Sequence, residues 1–413
     1  MQHGFGDALS QLQLNFPYTV VLGRAGTGKS ELLKLYVENN TDKNIAVVAP
    51  TGIAAVNVAG VTIHSFFKFP PHYLGDLSIC INDQLREVIE KLDILVIDEI
   101  PMVRVDIISA IDRFLRLYKG KDVSFGGVRV IGIGDPFQLS PIVKDDIKGF
   151  IRSYKSEYFF DAPVGENMRI IQLTHVHRQN DPELITNLAA IREGTYTKGT
   201  LDYFNSRVVS KVSTNKIQLC STNFSADSVN EKELKQLKGE QKNYNAAYKG
   251  SFDSKDSVAE AILSLKEGAS VMFIRNDLDK GAYVNGTMGV VSSLEEDKII
   301  VTVNNSQIEV RRSTWEKYAY ERHEGRVTPV VIGEMRQYPL KLAYAVTIHK
   351  AQGLSLDAAH INLGKGAFAP GQTYVALSRV RTLQGLSLAH PIKASDVIVH
   401  KRVAEFMRYS NSI

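Results

Sequence analysis

A chain of 413 residues, 44% apolar and 23% charged, is long enough for two to four domains with ordinary cores. No apolar run nears the ~20 residues of a membrane span, and the start Met-Gln-His-Gly-Phe-Gly-Asp lacks the basic and apolar segments of a secretory signal, so no membrane role and a cytoplasmic location are expected. A formal charge of +4 and a pI of about 8.7 permit a polyanionic partner without demanding one.

Leu9, Leu12 and Phe16 mark one face of a helix that leads to Pro17. Residues 18–22 are apolar and β-prone, and Gly23 to Ser30 then fit G-x-x-x-x-G-K-[ST] without a gap. A helical pattern follows through Leu32, Leu33, Leu35, Tyr36 and Val37. In this strand–loop–helix order, Gly23, Ala25, Gly26, Thr27 and Gly28 turn backbone N–H groups toward phosphate oxygens, and the helix N-terminus adds positive charge. Lys29 is then expected to reach the β- and γ-phosphates of a nucleotide, and Ser30 to hold Mg²⁺. Gln11 or Gln13 is either an adenine contact or an exposed amide.

Residues 45–49 are a short strand ended by Pro50-Thr51-Gly52, and a small-residue helix through Ala54, Ala55 and Val56 follows. Beyond Thr62–Phe67, Pro70 and Pro71 stop any helix or central strand, so this stretch reads as an excursion from the main sheet, with helix resuming over 82–91. Residues 94–97 form a buried strand with Asp98 and Glu99 at its carboxyl end, where open α/β sheets hold their ligands. Asp98 is expected to bind Mg²⁺ through water and Glu99 to orient or deprotonate the attacking water; an acidic pair opening a surface turn is the alternative, disfavoured by the upstream phosphate loop. An amphipathic helix over 106–118 and a turn at 125–127 lead to a strand over 128–133. That strand ends at Gly134–Leu139, where Gln138 is a γ-phosphate sensor or a surface amide.

These strands with helices between them predict a mostly parallel sheet and a first domain over about 1–165. Residues 169–173 and 217–221 are assigned to a second sheet, 182–193 and 225–237 to helices, and the polar stretch 239–256 to a loop. Alternation over 298–303 and 307–310, joined across Asn304-Asn305, predicts a hairpin within a small barrel-like insert at 284–338. Trp315 and Tyr318 are its core or a nucleic-acid face. Helical and α/β patterning returns near 340, with a helix at 372–378 and a strand at 384–388. Cys80 and Cys220 match no zinc spacing and read as free thiols in a reducing compartment.

The ordered motifs resemble the Pif1-like helicases of superfamily 1, the branch with RecD-like and Dda-like enzymes, over nearly the whole chain. Gly23–Ser30 is similar to motif I, and 49–55 with 62–67 to the next DNA-side motif. Residues 96–100 are similar to motif II and 134–139 to motif III, where Ser140-Pro141 replaces the usual Pro-Pro. His177-Arg178-Gln179 is similar to motif IV, 219–223 to the strand-turn of the second motor domain, 284–287 to the run before the SH3-like insertion, 340–353 to motif V and 375–380 to motif VI.

The resemblance implies an α/β fold of two RecA-like P-loop motor domains. The first spans 1–165, with a wedge excursion at about 62–90. The second spans 166–284 and 339–413, with an SH3-like β-barrel insert at 285–338. It implies that Arg178 and Arg379 carry positive charge to the γ-phosphate, joined by Gly353 at the nucleotide. Thr51 and Thr347 would contact DNA phosphates, His64, Phe66 and His349 bases or sugars, and Lys350 a phosphate or only solvent. Phe66 is equally an inward-packed ring, and Phe69, Pro70, Pro71, His72 and Tyr73 would form the wedge tip.

The implied activity is ATP-dependent 5′-to-3′ unwinding on single-stranded and forked DNA by a monomeric motor of bacterial or phage-like source. G-quadruplex DNA and RNA–DNA hybrids are further candidate partners. The alternative is a DNA-stimulated translocase that remodels protein–DNA complexes with little unwinding. A non-catalytic scaffold would show damage at Lys29, Asp98, Glu99, Gln138, Arg178 or Arg379, and none is present.

Overall fold

The computed structural model describes residues 2–70, 74, 83–143, 145–210, 216–253, 257, 259–277, 282–283, 285–323 and 326–410. Contacts divide the chain into two units, one of residues 1–177, 317–332 and 400–413, the other of 178–316 and 333–399. The strands and helices up to the end of the first segment are β1 (Gln2–His3), α1 (Phe5–Gln13), β2 (Tyr18–Gly23), α2 (Lys29–Glu38), β3 (Ile45–Ala49), α3 (Gly52–Asn57), β4 (Val61–Thr62), α4 (Ile63–Phe67), α5 (Asp83–Lys91), β5 (Ile94–Ile97), α6 (Val105–Lys119), β6 (Arg129–Gly134), α7 (Asp145–Ile151) and β7 (Arg169–Leu173). Then come α8 (Pro182–Glu193), α9 (Lys198–Asn205), β8 (Ile217–Cys220), α10 (Asn223–Gln236), β9 (Lys242–Asn245), β10 (Ala247–Gly250), β11 (Ile262–Leu265), β12 (Ser270–Phe273), β13 (Met288–Leu294), β14 (Ile299–Val303), β15 (Ser306–Val310), β16 (Ser313–His323) and β17 (Arg326–Gln337). The chain closes with β18 (Leu340–Leu342), β19 (Ala345–Thr347), β20 (Ala359–Asn362), α11 (Gln372–Leu377), β21 (Leu386–Leu388) and α12 (Lys401–Ser410).

In the first unit seven parallel strands run in the order β1-β7-β2-β6-β5-β3-β4. The central strands are fully buried along their length, which is why they read as continuous Val/Ile/Leu runs rather than as alternation. Residues 169–173 were expected in a second sheet; they pair with β2 in this one, Val21 opposite Ile171. An apolar run shows that a strand exists but not which sheet accepts it. Phe16 also departs from expectation: it lies beyond the end of α1, is exposed, and sits beneath the Arg169 guanidinium at 4.1 Å.

The Pro-Pro excursion is anchored rather than free at its described points. Phe69 is buried and stacks on Phe67 with ring centroids 5.1 Å apart, so it is core and not wedge tip. Leu74 is wholly buried; its N–H donates to Asp106 at 3.2 Å and its carbonyl accepts from Arg113 at 2.6 Å. Pro71, His72 and Tyr73 lie outside the described residues, as do Cys80 and Val284.

Helix α12 belongs to the first unit, not to the second motor domain where residues 400–413 were placed. Arg402 grips Asp161 through two nitrogens, at 2.6 and 2.9 Å, and Phe406 stacks on Phe160 at 4.0 Å. Arg402→Ala leaves the almost fully buried Asp161 carboxylate without this partner, and urea denaturation is expected to show a loss of about 2–4 kcal/mol.

The second unit holds a parallel sheet, β19-β8-β20-β21, in which Thr347 and Asn362 both lie opposite Cys220. Cys220 is a buried free thiol. The unit also carries antiparallel structure: a five-stranded sheet β15-β14-β13-β12-β18, a pair β11-β9, and β10-β17-β16, in which residues 317–332 fall in the first unit. The hairpin at Asn304-Asn305 forms as expected: both asparagines take positive φ (47° and 66°), the requirement of a two-residue turn that follows strand twist, and Val303 pairs with Ser306. Trp315 is buried, so of its two readings the core one holds.

The antiparallel region is wider than the expected 285–338. It begins at β9, inside the stretch read as a loop, and ends at β18. Of β9 and β10 only Tyr244 is buried, so these strands carry no apolar alternation to betray them. Among the described residues no helix is long and apolar enough to cross a membrane.

Candidate active site

The phosphate loop leaves the carboxyl end of β2 and crosses over itself. Gly26 and Gly28 have φ of 80° and 83°, and a Cβ on Gly23 would lie 2.5 Å from Thr27 Oγ1. Thr27 is buried and its hydroxyl donates to the Arg24 carbonyl at 2.9 Å, bracing the loop; Ala25 is buried beside it. Lys29 opens α2, and its ammonium donates to the carbonyls of Gly23 (2.8 Å) and Arg24 (2.9 Å). The positive charge is therefore stored at the loop itself. Gly28 caps α2 without a side-chain bond, which leaves first-turn N–H groups for an anion, and Ser30 is exposed in that turn.

Asp98 follows β5, with its N–H on the Val48 carbonyl at 2.9 Å. Burial pushes its pKa up, while the Glu99 N–H and the Lys29 charge pull it down, so the two motifs share one electrostatic environment. Glu99 has φ of 49°, the left-handed region that a non-glycine residue rarely takes, and it caps the short turn Ile100–Met102. That turn can cross β6 only because β6 has glycines at the crossing: a Cβ on Gly132 would sit 2.3 Å from Ile100, and one on Gly134 2.2 Å from Pro101. Gly134→Ala is expected to cost about 1–3 kcal/mol in urea denaturation and to lower turnover by displacing Glu99.

Gln138 is buried and not a surface amide. Its side chain donates to the fully buried Asp135 carboxylate at 3.3 Å, and its N–H to the Asp135 carbonyl at 2.9 Å. Asp135 thus orients Gln138, a role that sequence reasoning missed; an acid directly after a buried strand and three residues before a glutamine was the available signal. Also missed were Phe5, whose ring would lie 3.3 Å from a Cβ on Gly28, and His177, whose N–H donates to the Gly26 carbonyl at 2.8 Å.

The second unit gathers motifs IV, V and VI around Ser378. Arg178 donates to the carbonyls of Ser378 (3.2 Å) and Gly353 (3.5 Å), and Gln179 to those of Ser378 (3.3 Å) and Val380 (2.8 Å). Burial pushes the Arg178 pKa down; Tyr374 offsets this and Arg381 adds to it. Arg379 is 1% exposed and donates to the Val375 carbonyl at 2.7 Å, the Leu354 carbonyl at 3.3 Å and the Ser378 hydroxyl at 2.7 Å. A phosphate role for Arg379 therefore requires it to give up bonds within its own unit, which was not expected from sequence. Gly353 has φ of 83°.

Of the DNA candidates, Thr51 and Thr347 occupy equivalent places. Thr51 follows β3 and Thr347 is the last residue of β19, and each hydroxyl accepts an N–H three residues on, Ala54 at 3.2 Å and Lys350 at 3.3 Å. His349 and Lys350 are exposed. His64 is half-buried, and burial and the Arg104 charge lower its pKa while Asp106 opposes them. Of the two readings of Phe66 the inward-packed one holds: it is 5% exposed and packs edge-on to Phe67 at 4.8 Å. Among the described residues no cluster of three or more His, Cys, Asp or Glu forms a metal site.

The family model of PIF1-like helicases matches residues 10–200. ATP-dependent DNA helicase PIF1 of Xenopus laevis is 34% identical over 88% of this chain, which covers 57% of that protein; the chain spans little more than half of such relatives. ATP-dependent DNA helicase Pif1 of Bdellovibrio bacteriovorus is 30% identical over 94% of the chain and 87% of its own length. Among solved structures, Bacteroides sp Pif1 in complex with ADP-AlF4 has a TM-score of 0.92 at 35% identity, covering 99% of this chain and 96% of that one. Bacteroides Pif1 bound to ssDNA gives 0.71 at 36%, over 99% and 96%. Identity at this level, sustained over 87% of the Bdellovibrio protein and 96% of the Bacteroides chain, places the chain in the family of PIF1-like helicases.

Proposed function

We propose that the chain hydrolyses ATP to move 5′ to 3′ along single-stranded DNA and to separate duplex or structured DNA ahead of it. The observation that carries this reading is the division of labour between units. The first holds a phosphate loop with Asp98, Glu99 and Gln138 around it; the second holds two arginines gathered by three motifs around Ser378. A metabolic P-loop kinase has no use for the second set. The Bacteroides Pif1 structures with ADP-AlF4 and with ssDNA support the reading.

ATP phosphates lie against the N–H groups from Gly26 to Lys29, and the Lys29 ammonium exchanges the Gly23 and Arg24 carbonyls for phosphate oxygens. The Ser30 hydroxyl and Asp98 carboxylate are hard oxygen donors that suit Mg²⁺, which when bound neutralises phosphate charge. Gln138, held by Asp135, orients a water; Glu99 takes its proton as the water oxygen attacks the γ-phosphorus and ADP leaves. Arg178 and Arg379 are the cations that this reading assigns to the transferring group. Thr51, His64, Thr347, His349 and Lys350 line the DNA path, and forked DNA, G-quadruplexes and RNA–DNA hybrids are its substrates. The motor acts as a monomer in the cytoplasm.

A forked duplex with a 5′ tail, another with a 3′ tail, and ATP test this. Unwinding is expected only from the 5′ tail. Unwinding of the 3′-tailed fork alone refutes the direction; strong DNA-stimulated hydrolysis without unwinding of either favours the protein-remodelling translocase.

A further inference from the structure

Strand β7 lies one place from the edge of the seven-stranded sheet, and the strand outside it is too short to cover it. β1 pairs with it only at Gln172 and Leu173, so among the described residues Arg169–Ile171 have no strand beside them on that side. The N–H and C=O groups of an open strand edge are a template for another strand. Side chains along β7 alternate between two faces. Arg169 and Ile171 face α1: Ile171 shares a buried cluster with Ala8 and Leu12, and Arg169 donates to Gln11. Gln172 faces α12, where it donates to the Ser410 hydroxyl at 3.2 Å, and Ile170 shares that face.

A cavity of about 1100 Å³ is lined by Arg169 from the first face and by Ile170 and Gln172 from the second. A cavity reached from both faces of one strand runs along the edge of that strand. Its walls are aromatic. Phe16, 42% exposed, stands on the α1 side; Tyr409, 66% exposed, stands on the α12 side. The Arg402–Asp161 pair and the Phe406–Phe160 stack hold the α12 wall in place. The groove follows the amino half of β7, whereas the phosphate loop leaves the carboxyl end of β2, where Gly23 is opposite Leu173. An occupant here therefore leaves the nucleotide site open.

Charge narrows what that occupant is. Asp161 is met by Arg402 at 2.6 Å, and Glu405 by Arg402 at 3.3 Å and Lys401 at 3.9 Å. That leaves Lys155 and Arg169 at the groove against Glu166. Lys155 is exposed. Arg169 gives one terminal nitrogen to the neutral Gln11 amide; the other, Nη1, is buried with no hydrogen-bond partner. A buried donor left unmet favours any ligand that brings it an acceptor.

We propose that this groove binds an extended, acidic segment of a second protein, added as a strand along Arg169–Ile171. Its main chain pairs with the open edge, an Asp or Glu meets Arg169 and Lys155, and apolar side chains lie against Phe16 and Tyr409. A small ligand would leave the strand edge unpaired, and a nucleic-acid strand would bring phosphates to Glu166 and make no use of that edge. The proposal does not depend on the direction or substrate of the motor.

The test displays eight-residue peptides on phage, apolar at alternate positions and random between them, and selects on the full chain. Enriched sequences are expected to carry Asp or Glu at one of the random positions. A synthetic copy, labelled for anisotropy, should bind Lys155→Glu and Phe16→Ala at least about fivefold more weakly than the parent. DNA-stimulated ATP turnover of both variants should match the parent's and so report that they fold; Tyr409→Ala serves if Phe16→Ala does not. N-methylating alternate residues of the peptide should abolish binding in one register and spare it in the other, because only every second N–H of an added strand faces its neighbour. No enriched sequence, equal affinity for parent and folded variants, or equal binding of the two methylated peptides overturns the proposal. So does a parent that is dimeric and becomes monomeric as Lys155→Glu, since a second copy of the chain then fills the groove. Peptide binding by a parent that turns over no ATP sinks the motor reading and leaves the groove assigned.

Discussion

Replacing Lys29 by alanine is expected to lower DNA-stimulated ATP turnover about a thousandfold while the thermal transition barely moves. The ammonium rests on two carbonyls, those of Gly23 and Arg24, which water can serve once it is gone, so the folded state loses on the order of 1 kcal/mol. The transferring phosphoryl group has no such substitute, because charge on its oxygens must be met by a cation already in place. A coupled ATPase assay with oligo-dT, beside a melting curve, reads both effects. Oligo-dT affinity should be largely kept, since none of the DNA candidates lies on this loop.

The second large effect falls on Arg178. Arg178→Ala should cut kcat by about 10³–10⁵, the range for a lost phosphate-directed arginine, while binding of a fluorescent ATP analogue changes only a few-fold. Its bonds to the Ser378 and Gly353 carbonyls are long, so the guanidinium is cheaply released to a phosphate. Lysine should rescue poorly, having charge but no planar fork. Arg379→Ala is expected to behave differently. It would remove a buried donor from the carbonyls of Val375 and Leu354 inside the unit, and so it should lower stability as well as turnover. A melting curve beside the turnover measurement separates the two arginines, and an Arg379→Ala protein as stable as its parent would contradict the buried geometry.

The site was legible in sequence wherever chemistry needs adjacent residues. The phosphate loop, Asp98-Glu99 and Gln138 are each fixed by a few neighbours in the chain at the end of a buried strand, and the structure places them there. What was not legible depends on partners far along the chain. Gly132 and Gly134 as room for Ile100 and Pro101, and the gathering of Arg178 with Arg379 at Ser378, are tertiary facts, whereas Asp135 as the holder of Gln138 had its signal only three residues away. Phe69 was misjudged and Phe66 was left between two readings because an aromatic residue looks alike in sequence whether it points inward or outward. Strands β9 and β10 escaped because a strand with two wet faces has no periodic signal.

Helix α12 bears on how this chain is made. Its Arg402–Asp161 pair joins residues 241 positions apart, so the segment that carries Phe160 and Asp161 is synthesised well before the helix that completes its unit. On the ribosome the N-terminal segment must wait, with the Phe159–Phe160 surface uncovered, until residues 178–399 have emerged. Closure across so much intervening chain is slow, and the open surface is what a holding chaperone would recognise in the interval. A chain arrested just short of α12 would carry a finished second unit and an unfinished nucleotide-binding one.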